Sequence, residues 1–391
     1  MTRLIEKIKE KKINFLSNPR LVRLNPNIPW KTRGNGAVAI NIQYNNAKEI
    51  ERLLDDFIKK YAKMKDKKTN PGYVIIKEKP PYKFYEKAVR EIVNVKETIE
   101  LLDSFGGIYK GYKNKRGLIG ATASISWKPK NDRTFELIAY RQKKRWGKKR
   151  NIDEESVKRI EKEIPSTFDN YDFKNNHNRI APNSPCPVLF GIRGENENDL
   201  INALKIIKSE KIDKWIIFES NQATDEHLKK RKIKDINAYE SVIVKGIILK
   251  EPNTIKGGHV IFSIKDSTGE IDIAAYEPTK QFREIIKKLI RNDKIEVYGG
   301  VRKEPLTVNL EKIRLLTLEK QFEKVENPIC PNCGKHMKSK GKNQGFKCRN
   351  CKTFSNTPRI KEIKRDLETK YYEVAVCARR HLSKPIKRIQ P

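Results

Sequence analysis

The sequence predicts a multidomain α+β protein, and three observations carry that expectation. From Leu4 to about Asn237, apolar residues at helical spacing alternate with strand-like runs. From Ala238 to about Leu318 the strand-like pattern continues almost alone. Beyond it stand two Cys-x-x-Cys turns, Cys330–Cys333 and Cys348–Cys351, with 14 residues between them. The 391 residues have room for several domains at about 100–200 residues each, and 37% hydrophobic content suits several small cores better than one large one.

In the first region Ile50, Leu53, Leu54, Phe57 and Ile58 recur at helical spacing, while Ala37 to Ile42 and Thr134 to Tyr140 alternate as strands. Lys65 to Gly72 and Gly111 to Gly117, rich in Lys, Asn and Gly, read as exposed loops. The run Arg141 to Arg150 holds seven basic residues around Trp146 and reads as a boundary or a phosphate-facing loop. From Ile152 to about Asn237 strand and helix signals alternate again, as in a compact α+β unit.

The third region predicts strands at Val242 to Leu249 (interrupted by Gly246), around Val260, Phe262 and Ile264, at Ile271 and Ile273, at Ile295 to Val301 and at Val308 to Leu315. A turn is expected at Asp266 to Gly269 and a helix at Gln281 to Ile290. Five strands with a helix after the third match an OB-fold barrel, which commonly binds single-stranded nucleic acid.

Charge narrows the partners. Lys and Arg number 85 against 49 Asp and Glu, a net charge of +36. A surplus of one sign favours polyanions, because cations that neutralise phosphates release condensed counterions. No apolar run approaches the roughly 20 residues of a membrane span, and Met1 to Lys7 has no signal-peptide core, so a cytoplasmic protein is expected.

The strongest chemical motif is the cysteine set. Each Cys-x-x-Cys turn supplies two thiolates, and Cys330, Cys333, Cys348 and Cys351 together fill a tetrahedral, structural Zn²⁺ site, with Lys335, Lys338, Lys340, Lys342 and Lys347 around it. A second cluster runs from Arg23 to Gly36. Its Gly34-Asn35-Gly36 permits a tight left-handed turn with exposed amides beside Lys31 and Arg33, suited to a phosphate; the plainer reading is a turn. A third joins Ile180 to Gly194 with Phe218 to His227, polar groups that resemble a pocket rim. There Thr224 or Asp225 equally suits the N-cap of a helix through Leu228.

Read together, these stretches resemble a known family. Asn25 to Ala37, Asn183-Ser184-Pro185-Cys186-Pro187, Ser220-Asn221-Gln222, Ala275-Tyr276-Glu277-Pro278-Thr279 and the terminal Ala378 to Pro385 are similar, in the same order, to the archaeal tRNA agmatinylcytidine synthetases. The resemblance implies a kinase-like ATP-using α/β domain over 1–146, a ferredoxin-like domain over 147–237, the OB-fold over 238–320, the zinc ribbon over 325–356 and a basic tail over 357–391. It implies that ATP, with Mg²⁺, activates the C2 carbonyl of the wobble cytidine in the CAU-anticodon isoleucine tRNA. The primary amine of agmatine then displaces the activated oxygen, giving agmatidine, which pairs with A. Neither a membrane nor a protein partner is expected.

On that resemblance Lys31, Arg33 and the amides of Gly34, Asn35 and Gly36 hold ATP phosphate, and Asn221, Gln222 and Asp225 lie near agmatine. Arg145, Trp146, Lys338, Lys340, Lys342, Arg379, Arg380 and Lys384 grip the tRNA. Family members begin with an Asp-Asp-Thr-Asp-Ser strand and a Cys-Thr-Thr segment, whereas Met1-Thr2-Arg3-Leu4-Ile5 resembles the helix that follows them. The kinase-like unit is therefore expected to be N-terminally incomplete, with its catalytic residues upstream of Met1. Ala223 stands where the family usually has Gly. The rival reading is a non-catalytic OB-fold and zinc-ribbon protein that binds RNA or single-stranded nucleic acid.

Overall fold

A computed structural model describes residues 2–31, 34–129 and 132–389. At its centre, strand Thr134–Arg141, helix Glu154–Glu163, strands Thr167–Phe168 and Val188–Gly194, helix Glu197–Ile206 and strand Ile212–Ser220 follow one another. In the sheet these strands lie in the order fourth, first, third, second, the ferredoxin-like arrangement. Both helices begin at short polar caps: Asp153 accepts from the Ser156 amide and Asn196 from the Asp199 amide. Their apolar faces, including Val157, Ile160, Leu200 and Ala203, pack on Phe135, Leu137 and Ala139. Because side chains alternate along a strand, Glu136 and Arg193 project from the opposite face.

Strand Thr134–Arg141 corrects the expected division at 146, since it lies at the middle of this sheet, hydrogen-bonded to both Val188–Gly194 and Ile212–Ser220. The basic run after it is not a linker. Arg141 is fully buried and holds Glu210 at 2.7 and 2.9 Å and the Lys148 carbonyl at 2.7 Å. Arg150 donates to the carbonyls of Pro182, Ser184, Cys186 and Val188 at 2.7–3.1 Å, pinning the proline-rich loop. Guanidinium groups thus satisfy loop carbonyls that would otherwise need water.

The N-terminal region extends the same sheet. Strand Arg20–Arg23 adds in parallel to the end of Ile212–Ser220, and Gly36–Ala39 pairs beyond it. Val22 and Leu24 pack with Phe84, Tyr85, Val89 and Trp127 in one core; Leu4, Ile8, Ile13 and Ile50 form a second.

The third region is a closed barrel. Ser241–Ile255 pairs with both His259–Asp266 and Lys294–Arg302, and Gly269–Ala275 runs parallel to Thr307–Thr317, which returns to Lys294–Arg302. This is the OB-fold pairing. Its helix is Phe282–Ile286, shorter than expected. The first strand passes through Gly246 unbroken, where a Cβ would stand 2.9 Å from the Lys265 carbonyl oxygen.

A two-stranded stem, Gln321–Glu326 with Arg359–Ile363, carries the three-stranded zinc ribbon. Arg365 closes the stem onto the barrel, its fork meeting both oxygens of buried Asp293 at 2.5 and 2.7 Å. The expected basic tail is instead a packed strap. Tyr371–Glu373 adds to the outside of barrel strand Thr307–Thr317, and Leu382 enters the core around Trp127. No helix among the described residues is long and apolar enough to cross a membrane.

Candidate active site

The motifs separated in sequence converge on the open face of the ferredoxin-like sheet. Arg193 lies directly opposite Glu136 across the strand pair, with Nε 3.5 Å from its carboxylate. Arg23 approaches the same carboxylate to 3.7 Å from strand Arg20–Arg23, across the intervening Ile212–Ser220. Gln222 donates to it from Nε2 at 2.5 Å. His381 of the strap completes the group, its Nδ1 2.8 Å from Arg193 Nη2.

The charges do not cancel locally. The Nε atoms of Arg23 and Arg193 are buried without a hydrogen-bond partner. Burial, opposed by Glu136 and reinforced by Arg193, lowers the Arg23 pKa. Burial and then Arg193 lower that of Arg179. Arg23, then burial, then Arg193 and Arg179 hold His381 well below the usual histidine range, so the ring is neutral at pH 7. A guanidinium only donates, so Nδ1 is the acceptor in the contact with Arg193 and the remaining proton sits on Nε2. His381 therefore presents a hydrogen-bond donor, inside a cluster of destabilised cations that an incoming polyanion would relieve.

Next to this cluster the loop before Gly36 borders a cavity of about 340 Å³, lined by Ile28, Trp30, Lys31, Asn35, Gly36, Ile92 and Arg116 among others. Trp30 keeps 45% of its surface exposed, and the Arg116 guanidinium lies 5.0 Å from its ring centre. Among the described residues, Lys31, Lys68 and Arg116 form no ion pair, whereas Glu91, the cavity's acidic member, is engaged by Lys229 at 2.7 Å. Burial and then Arg380 lower the Lys31 pKa. The left-handed residue of the turn is Asn35, at φ 30°, and not a glycine. Gly34 serves close approach: its carbonyl accepts from Arg23 Nη1 at 3.2 Å, and a Cβ there would meet the same nitrogen at 2.6 Å. Arg33 lies outside the described residues.

The residues expected near agmatine are otherwise engaged, except Gln222. Asn221 is buried against Arg23 and Tyr85. Asp225 holds Lys312 of the barrel at 2.6 Å and the Lys384 amide at 2.7 Å. The segment forms no helix at Thr224: Ala223 and Asp225 are left-handed, at φ 56° and 60°, and the chain turns into strand Leu228–Lys230.

The residues expected on tRNA divide similarly. Lys338, Lys340 and Lys342 are exposed on the ribbon, and Lys340 lies 5.5 Å from the centre of the Phe354 ring. Trp146 is partly exposed, its Nε1 donating to the Arg141 carbonyl at 3.1 Å. Arg145 leans on Glu210 at 3.2 Å and Lys384 on Asp132 at 2.8 Å. Arg379 is corrected: it is buried, paired with Asp169 and Glu373, and so is removed from an RNA-facing surface. Glu136 and Arg179 were not anticipated. The one signal at Glu136 is a lone carboxylate amid apolar neighbours on a strand.

In the ribbon the four cysteine Sγ atoms lie within 4.8 Å of one another, over Met337 and Phe346. Tetrahedral zinc at about 2.3 Å from each sulfur sets sulfur–sulfur edges of about 3.8 Å, and Cys333 and Cys348 stand 3.6 Å apart. The set fits a structural zinc, with no position left open for water.

A buried cation-rich centre joined to an OB barrel and a basic zinc ribbon marks a protein built to hold a nucleic acid. Family models match in four places: the TiaS TCKD domain over residues 1–50, the TiaS FLD domain over 115–227, an OB-fold nucleic acid binding domain over 242–316 and the TiaS C-terminal zinc ribbon domain over 327–367. The isoleucine-tRNA 2-agmatinylcytidine synthetase TiaS of Methanocaldococcus jannaschii is 49% identical over 386 residues, 95% of this chain and 90% of the relative. A solved complex of TiaS with its isoleucine tRNA and ATP superposes with a TM-score of 0.90 at 39% identity, covering 100% of this chain and 94% of that one. A complex of TiaS with the same tRNA, AMPCPP and agmatine superposes with a TM-score of 0.88 at 37% identity, covering 100% and 92%. The chain belongs to the isoleucine-tRNA 2-agmatinylcytidine synthetase family.

Proposed function

We propose that this chain uses ATP to conjugate agmatine to C2 of the wobble cytidine of the CAU-anticodon isoleucine tRNA, forming agmatidine for AUA decoding. The observation that carries the reading is the convergence of Arg23, Arg193 and Gln222 on Glu136, with His381 joined to the group through Arg193. The non-catalytic alternative is not favoured, because curated relatives that match this chain along nearly its whole length are synthetases.

A carbonyl oxygen leaves poorly until it carries a phosphoryl group. Once phosphorylated, the oxygen departs with its phosphate as the agmatine nitrogen bonds to C2 and gives up its protons. Arg23, Arg193 and the Nε2–H of His381 are assigned to the transferred phosphoryl, where preorganised donors in a dry site act most strongly. Lys31, with Asn35 and Gly36 on the cavity wall, is assigned to the nucleotide beside Trp30, and the Gly34–Gly36 loop joins that cavity to Arg23. Of the residues expected at agmatine, Gln222 keeps that assignment; Asn221 and Asp225 act through Arg23 and the barrel. Mg²⁺ would arrive with the nucleotide and neutralise its phosphates. Among the described residues, the cysteine set is the cluster with metal-ligand geometry, so no resident Mg²⁺ ligand is assigned. Exposed Lys338, Lys340 and Lys342 are assigned to tRNA phosphate, with a cytoplasmic tRNA as substrate.

The test is to incubate the chain, as it stands and extended by the expected N-terminal Asp-Asp-Thr-Asp-Ser and Cys-Thr-Thr segments, with ATP, agmatine and the cognate tRNA and to analyse the nucleosides by mass. The expected product is cytidine plus agmatine less water, absent without ATP. No such product across magnesium and temperature ranges would reject the reading.

A further inference from the structure

Three consecutive side chains of the strap reach three different parts of the fold. Arg379 pairs with Asp169 of the ferredoxin-like unit. Arg380 Nη1 donates to Asn27 Oδ1 at 2.6 Å and lies 3.2 Å from Glu311 Oε1 of the barrel. His381 enters the arginine cluster. Asn27 is itself tied to the barrel, its Nδ2 donating to the Glu240 carbonyl and the Ser241 hydroxyl, both at 2.8 Å. Glu311 is buried and held from its other side by His227 at 3.3 Å. Gly300 leaves room for the junction: a Cβ there would stand 2.2 Å from Asn27 Oδ1 and 2.8 Å from Arg380 Nη1.

We propose that Arg380 is a positioning residue that fixes His381 in the reaction centre relative to the RNA-binding barrel, and not a contact to tRNA phosphate. One guanidinium nitrogen, Nη1, lies against both Asn27 and Glu311, and the next residue carries the imidazole. The His381 carbonyl is fixed too, accepting from the Ala223 amide at 2.8 Å. A shift of the barrel against the sheet is thus passed to the ring through a single peptide unit. A second tie runs alongside: Lys312, fully buried, reaches Asp225 at 2.6 Å and the Lys384 carbonyl at 2.8 Å. The proposal rests on the arginine cluster being the reaction site, since His381 matters only there. Both contacts come from a single nitrogen, so a lysine ammonium that reaches the junction keeps part of the tie, whereas glutamine keeps none of its charge.

Arg380→Gln and Arg380→Lys, made in the full chain, test this by steady-state conjugation and by tRNA binding across a salt series. Positioning predicts kcat lower by about 10- to 100-fold in Arg380→Gln and by less in Arg380→Lys, with KM for tRNA and agmatine unchanged in both. The slope of log affinity against log salt stays as in the unaltered chain. Arg380→Gln combined with Asn27→Ala should be no slower than the worse single variant, as for residues acting as one unit. A weaker tRNA affinity with a slope shallower by about one makes Arg380 a phosphate contact and overturns the proposal. A lowered Tm with unchanged kcat makes it a structural fastener and overturns it equally. If neither the unaltered chain nor its N-terminally extended form makes product, the functional reading fails, while the salt series still decides whether Arg380 touches phosphate.

Discussion

The side chain of Asn221 pairs with the backbone of Arg23 as another strand would: Oδ1 accepts from the Arg23 amide at 2.7 Å and Nδ2 donates to the Arg23 carbonyl at 2.9 Å. The same Nδ2 reaches the Tyr85 hydroxyl at 2.6 Å. One buried amide thus continues the parallel pairing past Ser220 and sets where the Arg23 guanidinium begins. Asn221→Ala leaves a buried amide and carbonyl unpaired and should lower unfolding free energy by about 2–3 kcal/mol. Urea unfolding of the variant measures this; a loss under about 0.5 kcal/mol would show that the pairing does not matter.

His381 makes stability depend on pH. Its folded pKa is depressed by Arg23 and burial, while the unfolded value is about 6.5. Between the two the unfolded chain binds more protons, so this contribution is lost as pH falls below about 6.5. His381→Gln lacks that loss. The stability gap between the parent and His381→Gln should therefore move in the variant's favour by about 1 kcal/mol between pH 7.5 and pH 5.5. A gap that stays constant would place His381 outside the cation cluster.

Removing zinc should unfold the ribbon and leave the barrel, whose core is built from its own strands. Metal analysis should find about one zinc per chain. Chelation should weaken tRNA binding and flatten its salt dependence, because Lys338, Lys340 and Lys342 lose their scaffold, while ATP binding stays the same. Unchanged tRNA affinity after verified zinc loss would remove the ribbon from the RNA interface.

Ala223 adopts φ 56°, a region that favours glycine, which explains why glycine suits this position. The left-handed strain in Ala223 exceeds the extra chain entropy of glycine, so Ala223→Gly should raise stability by about 0.5–1 kcal/mol. A fall in Tm would mean that the Ala223 methyl packs better than its backbone is strained.

How far the sequence could be read depended on whether a feature was local. The barrel was legible because alternating strands and a helix after the third are written into contiguous residues, and the zinc ligands because thiol spacing is itself the chemistry. The first strand of the ferredoxin-like unit falls on the wrong side of the expected boundary, since Arg141 to Arg150 has the composition of a linker. What makes it structure is long-range: Arg141 finds Glu210, and Arg150 finds four carbonyls beyond residue 180. Asp225 and Arg379 looked like ligand contacts for the same reason. Their partners, Lys312 and Asp169, are 87 and 210 residues away. Glu136 carried one faint signal, a carboxylate amid apolar neighbours on a strand, and nothing local told which arginines would surround it.

The most direct test of the cation cluster as the reaction centre is single-turnover conjugation by Arg193→Gln, with saturating ATP and agmatine and with tRNA fully bound. Arg193 lies against Glu136 through Nε, at 3.5 Å and without a hydrogen bond, and against His381 through Nη2. The expected result is a rate lower by about 100- to 1,000-fold, as when a preorganised donor is removed, with tRNA affinity unchanged. A rate within about threefold of the unaltered chain, at equal tRNA occupancy, would place the chemistry elsewhere in the molecule.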